Sequence, residues 1–179
     1  MKYFIKVMSI LVIGSMIILS QNNESTKSKY DVFSFEKEVT LPGSPEIIYD
    51  AVTGDISGWW DHSMSENPKE FFIEPIPGGG FYEIFDDEGN GVLHATVIYA
   101  DRGKLLRFDG PLGLSGRAIQ QVTTYQFEPV GADSTLFKVS VHGAGEVEEG
   151  LPAIVESVWE HFIFEQLKPY ILAGKHLQK

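Results

Sequence analysis

The sequence contains no cysteine. Disulfides, thiolate metal sites, a cysteine nucleophile and a lipid-modified N-terminal cysteine are therefore excluded. Basic residues are scarce: 14 Lys and Arg stand against 25 Asp and Glu, giving a formal net charge of −11. The first twenty residues hold Lys2 and Lys6 and no acid, so subtracting their two charges from −11 leaves −13 for the rest. Nucleic-acid binding rests on Lys and Arg displacing counterions from phosphates, and a body this acidic excludes it as a natural partner.

Several chemical signatures are missing as well. Gly78-Gly79-Gly80 lacks the Lys-Ser/Thr of a P-loop and leads into a strand, so it reads as a turn or bulge. The run Asp86 to Gly91 would need a glutamate at Val97 to close a calcium loop, and reads as a hairpin turn. Ser115 falls one residue short of a nucleophile elbow, which argues against a hydrolase. The histidines (His62, His94, His142, His161, His176) show no HExxH-type spacing, so neither a metal nor a cofactor is expected. No catalytic residue is identified by spacing alone.

What is present begins with an export signature. Lys2 and Lys6 precede VMSILVIGSMIIL, thirteen residues without a charge. That run is short of the about twenty residues a spanning helix needs and fits a secretory signal over residues 1–20. Ile18 is poor at the cleavage site, so an uncleaved N-terminal anchor is the alternative; after signal removal no integral span is expected. Residues 21–29, QNNESTKSK, read as a disordered linker, and one domain is expected over 30–175.

Within that domain the apolar spacing predicts strands over 31–41, 70–75, 81–85, 92–100, 104–109, 118–128 and 135–142. Lys37 interrupts the apolar side of the first. Ser44, Pro45 and Glu46 open a helix that ends near Gly54, and a second short helix is expected over Ile56 to Trp60. The last long segment, Leu151 to Gly174, is an amphipathic helix with Val155, Val158, Trp159, Phe162, Ile163 and Tyr170 on its apolar face. Pro169 lacks an N–H and should bend it in the Glu165 to Pro169 turn. The fold class is thus α+β: about seven antiparallel strands around one long C-terminal helix.

That order of elements, with Pro42-Gly43-Ser44-Pro45-Glu46-Ile47-Ile48-Tyr49, Trp59-Trp60, Pro77-Gly78-Gly79-Gly80-Phe81, Leu105-Leu106-Arg107-Phe108, His142-Gly143 and Trp159, resembles the START-like or SRPBCC superfamily. The branch it looks like is the one named after an activator of a heat-shock chaperone's ATPase. The resemblance implies a helix-grip fold: a curved antiparallel sheet gripping the C-terminal helix, with a cavity that often holds an apolar small molecule. Members include lipid carriers, hormone receptors, polyketide cyclases and chaperone regulators, so fold alone does not fix function.

The implied ligand-binding set is Trp60, Phe81, Trp159, Phe162, Gln166 and Tyr170. Trp59 reads as core and rim packing, and Trp60 is the pocket candidate that the resemblance implies. Gln166, amid the apolar face, is either a buried amide bonded to the sheet or a polar contact for a ligand. His94 is not assigned a side by alternation; pointing inward near Glu83 or Asp109, it would form an acid–base pair. Three functions follow as expectations. The first is an exported, non-enzymatic binding protein for a small apolar or aromatic molecule. The second is a cyclase- or dehydratase-like enzyme using the same pocket. The third is a chaperone-regulating module, against which the export signature argues.

Overall fold

The structure, a computed structural model, describes residues 30–178, so the expected signal segment and linker lie outside it. Its frame is one open antiparallel sheet of eight strands. These are β1 (Tyr30–Pro42), β2 (Gly54–Asp55), β3 (Glu70–Ile73), β4 (Gly80–Ile84), β5 (Gly91–Asp101), β6 (Leu105–Gly110), β7 (Ile119–Pro129) and β8 (Ser134–Glu146). They lie in the order β1-β8-β7-β6-β5-β4-β3-β2: a meander from β2 to β8, with β1 added beside β8. The strand beyond the expected seven is β2, two residues long and too short to carry a period.

Alternation along the strands decides which side chains face the C-terminal helix. On β7 and β8, Tyr125, Phe127, Phe137, Val139 and Val141 are buried, while Gln120, Glu128 and His142 between or beside them are exposed. The helix occupies residues 151–172 as α2 (Leu151–Glu160), a π segment (His161–Leu167) and α3 (Lys168–Leu172). Trp159 is 3% exposed, and its ring meets Tyr125 edge-on at 6.0 Å. Lys37, which breaks the apolar side of β1, is matched from the helix: its Nζ lies 2.6 Å from Glu156 and 2.7 Å from Glu160.

The expected bend at Pro169 takes a different form. In an α register the missing Pro169 N–H would face the Glu165 carbonyl. Here the turn before it is widened, and the Lys168 N–H reaches five residues back to the Ile163 carbonyl. The wider turn changes which side chains meet the sheet. Leu167 is fully buried, and Gln166, expected on the apolar face, sits at its flank.

The first helix is α1 (Pro45–Ala51), opened as expected by Ser44, whose side chain accepts the Ile47 N–H at 3.4 Å. The second expected helix does not form. Residues 56–60 make a single turn in which the Trp59 and Trp60 N–H groups donate to the Ile56 carbonyl at 3.1 and 3.0 Å. Gly58 disfavours a helix there, and its bare Cα lets the Tyr170 ring approach: a Cβ would lie 2.7 Å from that ring.

Candidate functional site

A cavity of about 250 Å³ lies between the C-terminal helix and the sheet. Trp159, Val155, Val158 and Phe162 wall it on the helix side, and Trp60 closes it from the turn after β2. Trp60 stacks on Phe162 with centroids 3.8 Å apart at 21°, and its Nε1 donates to the His62 carbonyl at 3.0 Å. The loop after β6 contributes Leu112 and Leu114, which form a 3-10 turn (Leu112–Leu114) inside the stretch expected to be an irregular glycine-rich loop.

The polar part of the wall comes from the sheet. In β4–β5, Phe81 faces Ala95 while Tyr82 faces Leu93, so His94 is the extra residue of a β-bulge. A bulge re-aims a side chain that strict alternation would turn elsewhere, and His94 is buried beside Ala95 rather than opposite it. Gly110 of β6 crosses at this point, where any Cβ would run into the His94 carbonyl and Ala95.

His94 Nε2 lies 3.0 Å from Glu83 Oε2, and the two residues are 4% and 1% exposed. Glu83 also accepts from the Ser63 hydroxyl at 2.6 Å, the Met64 N–H at 2.9 Å and the Ser65 N–H at 3.2 Å. Burial pushes the Glu83 carboxyl up, but the Ser63, Met64 and His94 donors outweigh it and hold the group below the usual carboxylate range. An ionised carboxylate only accepts, so His94 Nε2 carries the hydrogen, and in the neutral ring Nδ1 is an acceptor. That Nδ1 is buried with no protein partner. Gln121, also on the cavity wall, donates Nε2–H to the Pro111 carbonyl at 3.0 Å and leaves its Oε1 without one. Two orphan acceptors therefore stand in a mainly apolar wall.

The six residues expected to bind a ligand divide evenly. Trp60, Trp159 and Phe162 line the cavity. Phe81 is fully buried behind it, edge-on to Trp60 at 5.0 Å and packed near His94. Tyr170 lies against Gly58, away from the cavity. Gln166 does not reach the cavity either, because the widened π turn carries it to the helix flank. Its Nε2 lies 3.2 Å from His161 Nε2.

That flank holds a second polar group at the cavity's lip. His161 Nε2 is 2.7 Å from Asp61 Oδ2, His161 Nδ1 is 2.9 Å from Glu165 Oε2, and His62 Nδ1 is 3.0 Å from Asp61 Oδ1. Asp61 and then Glu165 raise the basicity of His161. Partial burial pushes Asp61 up, but hydrogen bonds from His62 and His161 hold it below its ordinary value.

Sequence reasoning missed Ser63, Leu112, Leu114 and Gln121 as wall residues. It also missed the meeting of Asp61 and His62 with His161, about a hundred residues along the chain. Nothing in spacing signals a contact at that separation. Leu112 carried a faint cue, because apolar residues in a glycine-rich loop need something to bury against; it is held at a positive φ of 51°.

No family model and no curated protein matches the sequence. Solved structures do. A protein of unknown function from Staphylococcus aureus is 16% identical, with 84% of this chain and 99% of that one covered at a TM-score of 0.57. A protein from Rhodobacter sphaeroides is 18% identical over 83% and 99% of the two chains, also at 0.57. A conserved protein of unknown function from Enterococcus faecalis is 14% identical over 81% and 77%, again at 0.57. The chain shares their fold.

Proposed function

We propose that the chain is an exported binding protein that takes one small apolar or aromatic molecule, bearing a hydrogen-bond donor, into the cavity beside the C-terminal helix. The cavity carries this reading. Its volume of about 250 Å³, its aromatic wall and its two orphan acceptors are what such a ligand requires. A dry apolar cavity of about 150 Å³ holds benzene, and drug-sized ligands occupy pockets from about 300 Å³ upward. The ligand is therefore the size of one substituted ring.

The resemblance to the START-like superfamily supports the same reading, since a sheet and a long C-terminal helix enclosing a cavity is the helix-grip arrangement. Export is supported by Lys2, Lys6 and the uncharged run over 7–19. No helix among the described residues is long and apolar enough to cross a membrane.

The test compares p-cresol with toluene, two ligands of one shape that differ by a hydroxyl donor. Tryptophan fluorescence of the full chain should change saturably with both and at lower concentration with p-cresol. Gln121→Leu, which leaves His94 Nδ1 as the one remaining orphan acceptor on the wall, should narrow that preference. Lack of saturable binding, together with no co-purifying molecule in native mass spectrometry of protein from its own host, refutes the reading. Cell fractionation tests export: a wholly cytosolic protein with residues 1–19 intact overturns it and favours the chaperone-regulating alternative.

A second reading, the cyclase- or dehydratase-like enzyme, is favoured by the Glu83–His94 pair. A buried carboxylate that fixes the tautomer of a histidine on the cavity wall is the arrangement a general base needs. Turnover lost in His94→Gln with ligand affinity kept would select this reading over simple binding.

A further inference from the structure

We propose that Asp61, His62 and His161 form a binding site for a divalent transition-metal ion at the lip of the cavity. The three side chains offer one carboxylate oxygen and two imidazole nitrogens, all within 4.8 Å of one another. Donors bound at about 2.0–2.2 Å around a tetrahedral ion stand roughly 3.3–3.6 Å apart, so closing on an ion takes side-chain shifts of up to about an ångström, which exposed and half-buried side chains can make. Nitrogen and oxygen donors of this kind suit Zn²⁺ and its first-row neighbours rather than Ca²⁺ or Mg²⁺. The net charge of −11 favours any cation.

Three features, the first and third sharing the Glu165–His161 contact, mark a built arrangement rather than a chance meeting of side chains. First, a carboxylate stands behind one ligand: Glu165 Oε2 lies 2.9 Å from His161 Nδ1. Its acceptance of the Nδ1 hydrogen makes Nε2 the ligand atom, where a metal would take the place of the hydrogen that Nε2 now shares with Asp61, the usual outer-shell device of metal-binding histidines. Second, the backbone that carries Asp61 and His62 is fixed from both sides. Trp60 stacks on Phe162 at 3.8 Å, its Nε1 holds the His62 carbonyl, and the His62 ring meets Phe162 edge-on at 4.8 Å. Third, the π segment begins at His161. The wider turn lets the residues four and five positions on, Glu165 and Gln166, both reach His161, at 2.9 and 3.2 Å. One helix turn thus supplies a ligand and its support, and one loop supplies the other two ligands.

Three protein donors leave coordination positions open, as in sites where an ion acts on a bound molecule. His62 also lines the cavity, so ion and cavity share a wall. The site stands whether or not the cavity takes a ligand.

Zinc itself is the probe. The tag-free full chain is stripped with chelator, then titrated with Zn²⁺ by calorimetry and with Co²⁺ by visible absorption. One ion per chain and the strong visible bands of low-coordinate Co²⁺ are expected. His62→Ala and His161→Ala should each abolish both signals, and Glu165→Gln should weaken affinity about 10–100-fold. His142→Ala, an exposed histidine on β8, should change nothing. All the altered side chains are exposed or half-buried, and melts of the metal-free variants confirm that they fold. No stoichiometric uptake by the parent chain, or unchanged affinity in His161→Ala, overturns the site; unchanged affinity in Glu165→Gln overturns its supporting carboxylate.

Discussion

Replacing Glu83 with leucine removes the acceptor on which the cavity's polar side depends. The carboxylate is 1% exposed and receives hydrogens from the Ser63 hydroxyl, the Met64 and Ser65 amides and His94 Nε2. A hydrogen bond to a charged group contributes about 1.5–3 kcal/mol net, but four sharing one acceptor do not add. Ser63, Met64 and Ser65 lie in a surface loop and can turn to water; His94, at 4% exposure, cannot. The expected loss is therefore that of breaking one buried, charge-assisted pair, about 3–5 kcal/mol, against a total stability of about 5–15 kcal/mol. Leucine fills a similar volume, so no large cavity term is added. Adding His94→Leu to Glu83→Leu should recover about 1–3 kcal/mol, because the stranded imidazole N–H goes with it.

The pH dependence gives a second arm. Glu83 is held below its ordinary carboxylate value in the fold. Its contribution is thus present above the unfolded value of about 4.3 and is lost as pH falls through the folded one. Urea denaturation of the parent chain should show that acid-side loss, and Glu83→Leu should flatten it. Amide exchange of Met64 and Ser65 should quicken in the variant. A cost below about 1 kcal/mol at neutral pH, with an unchanged denaturant slope, would refute the reasoning, since a buried carboxylate with these partners cannot be removed so cheaply.

Trp159→Ala should cost about 3–5 kcal/mol in urea denaturation, the range for an aromatic deleted from a core. Glu160→Ala, half-exposed and paired with Lys37, should stay within about 1 kcal/mol, and equal losses would mean that the helix does not pack as described. Gly110→Ala forces a Cβ against the His94 carbonyl and should cost about 1–3 kcal/mol, with the bulge displaced; a neutral melt would show that the crossing is looser. In p-cresol titrations, Phe162→Ala should weaken binding at least tenfold, because it removes both a wall of the cavity and the plate on which Trp60 stacks. Unchanged affinity would place the ligand elsewhere.

The elements themselves were legible in residue order, because local rules govern them. Alternation located seven strands to within a few residues, Ser44 and Pro45 marked the start of α1, and the apolar stripe from Val155 to Ile163 gave the C-terminal helix its buried face. Trp60, Trp159 and Phe162 could be named as wall residues, since large aromatics on the inner face of one helix and the turn beneath it have few other places to go. The sites were another matter. Whether His94 faced inward depended on a bulge, one extra residue in β5, and pairing register is a property of two strands rather than of either sequence. Gln166 was misplaced because the missing N–H of Pro169 is accommodated by a widened turn several residues upstream, which rotates the helix face in a way a fixed hundred degrees per residue does not describe. Asp61 and His62 meet His161 only because a loop and a helix a hundred residues apart are packed together by Trp60 on Phe162. Short-range chemistry wrote the secondary structure into the chain; the approach of distant side chains is settled only by how that structure packs.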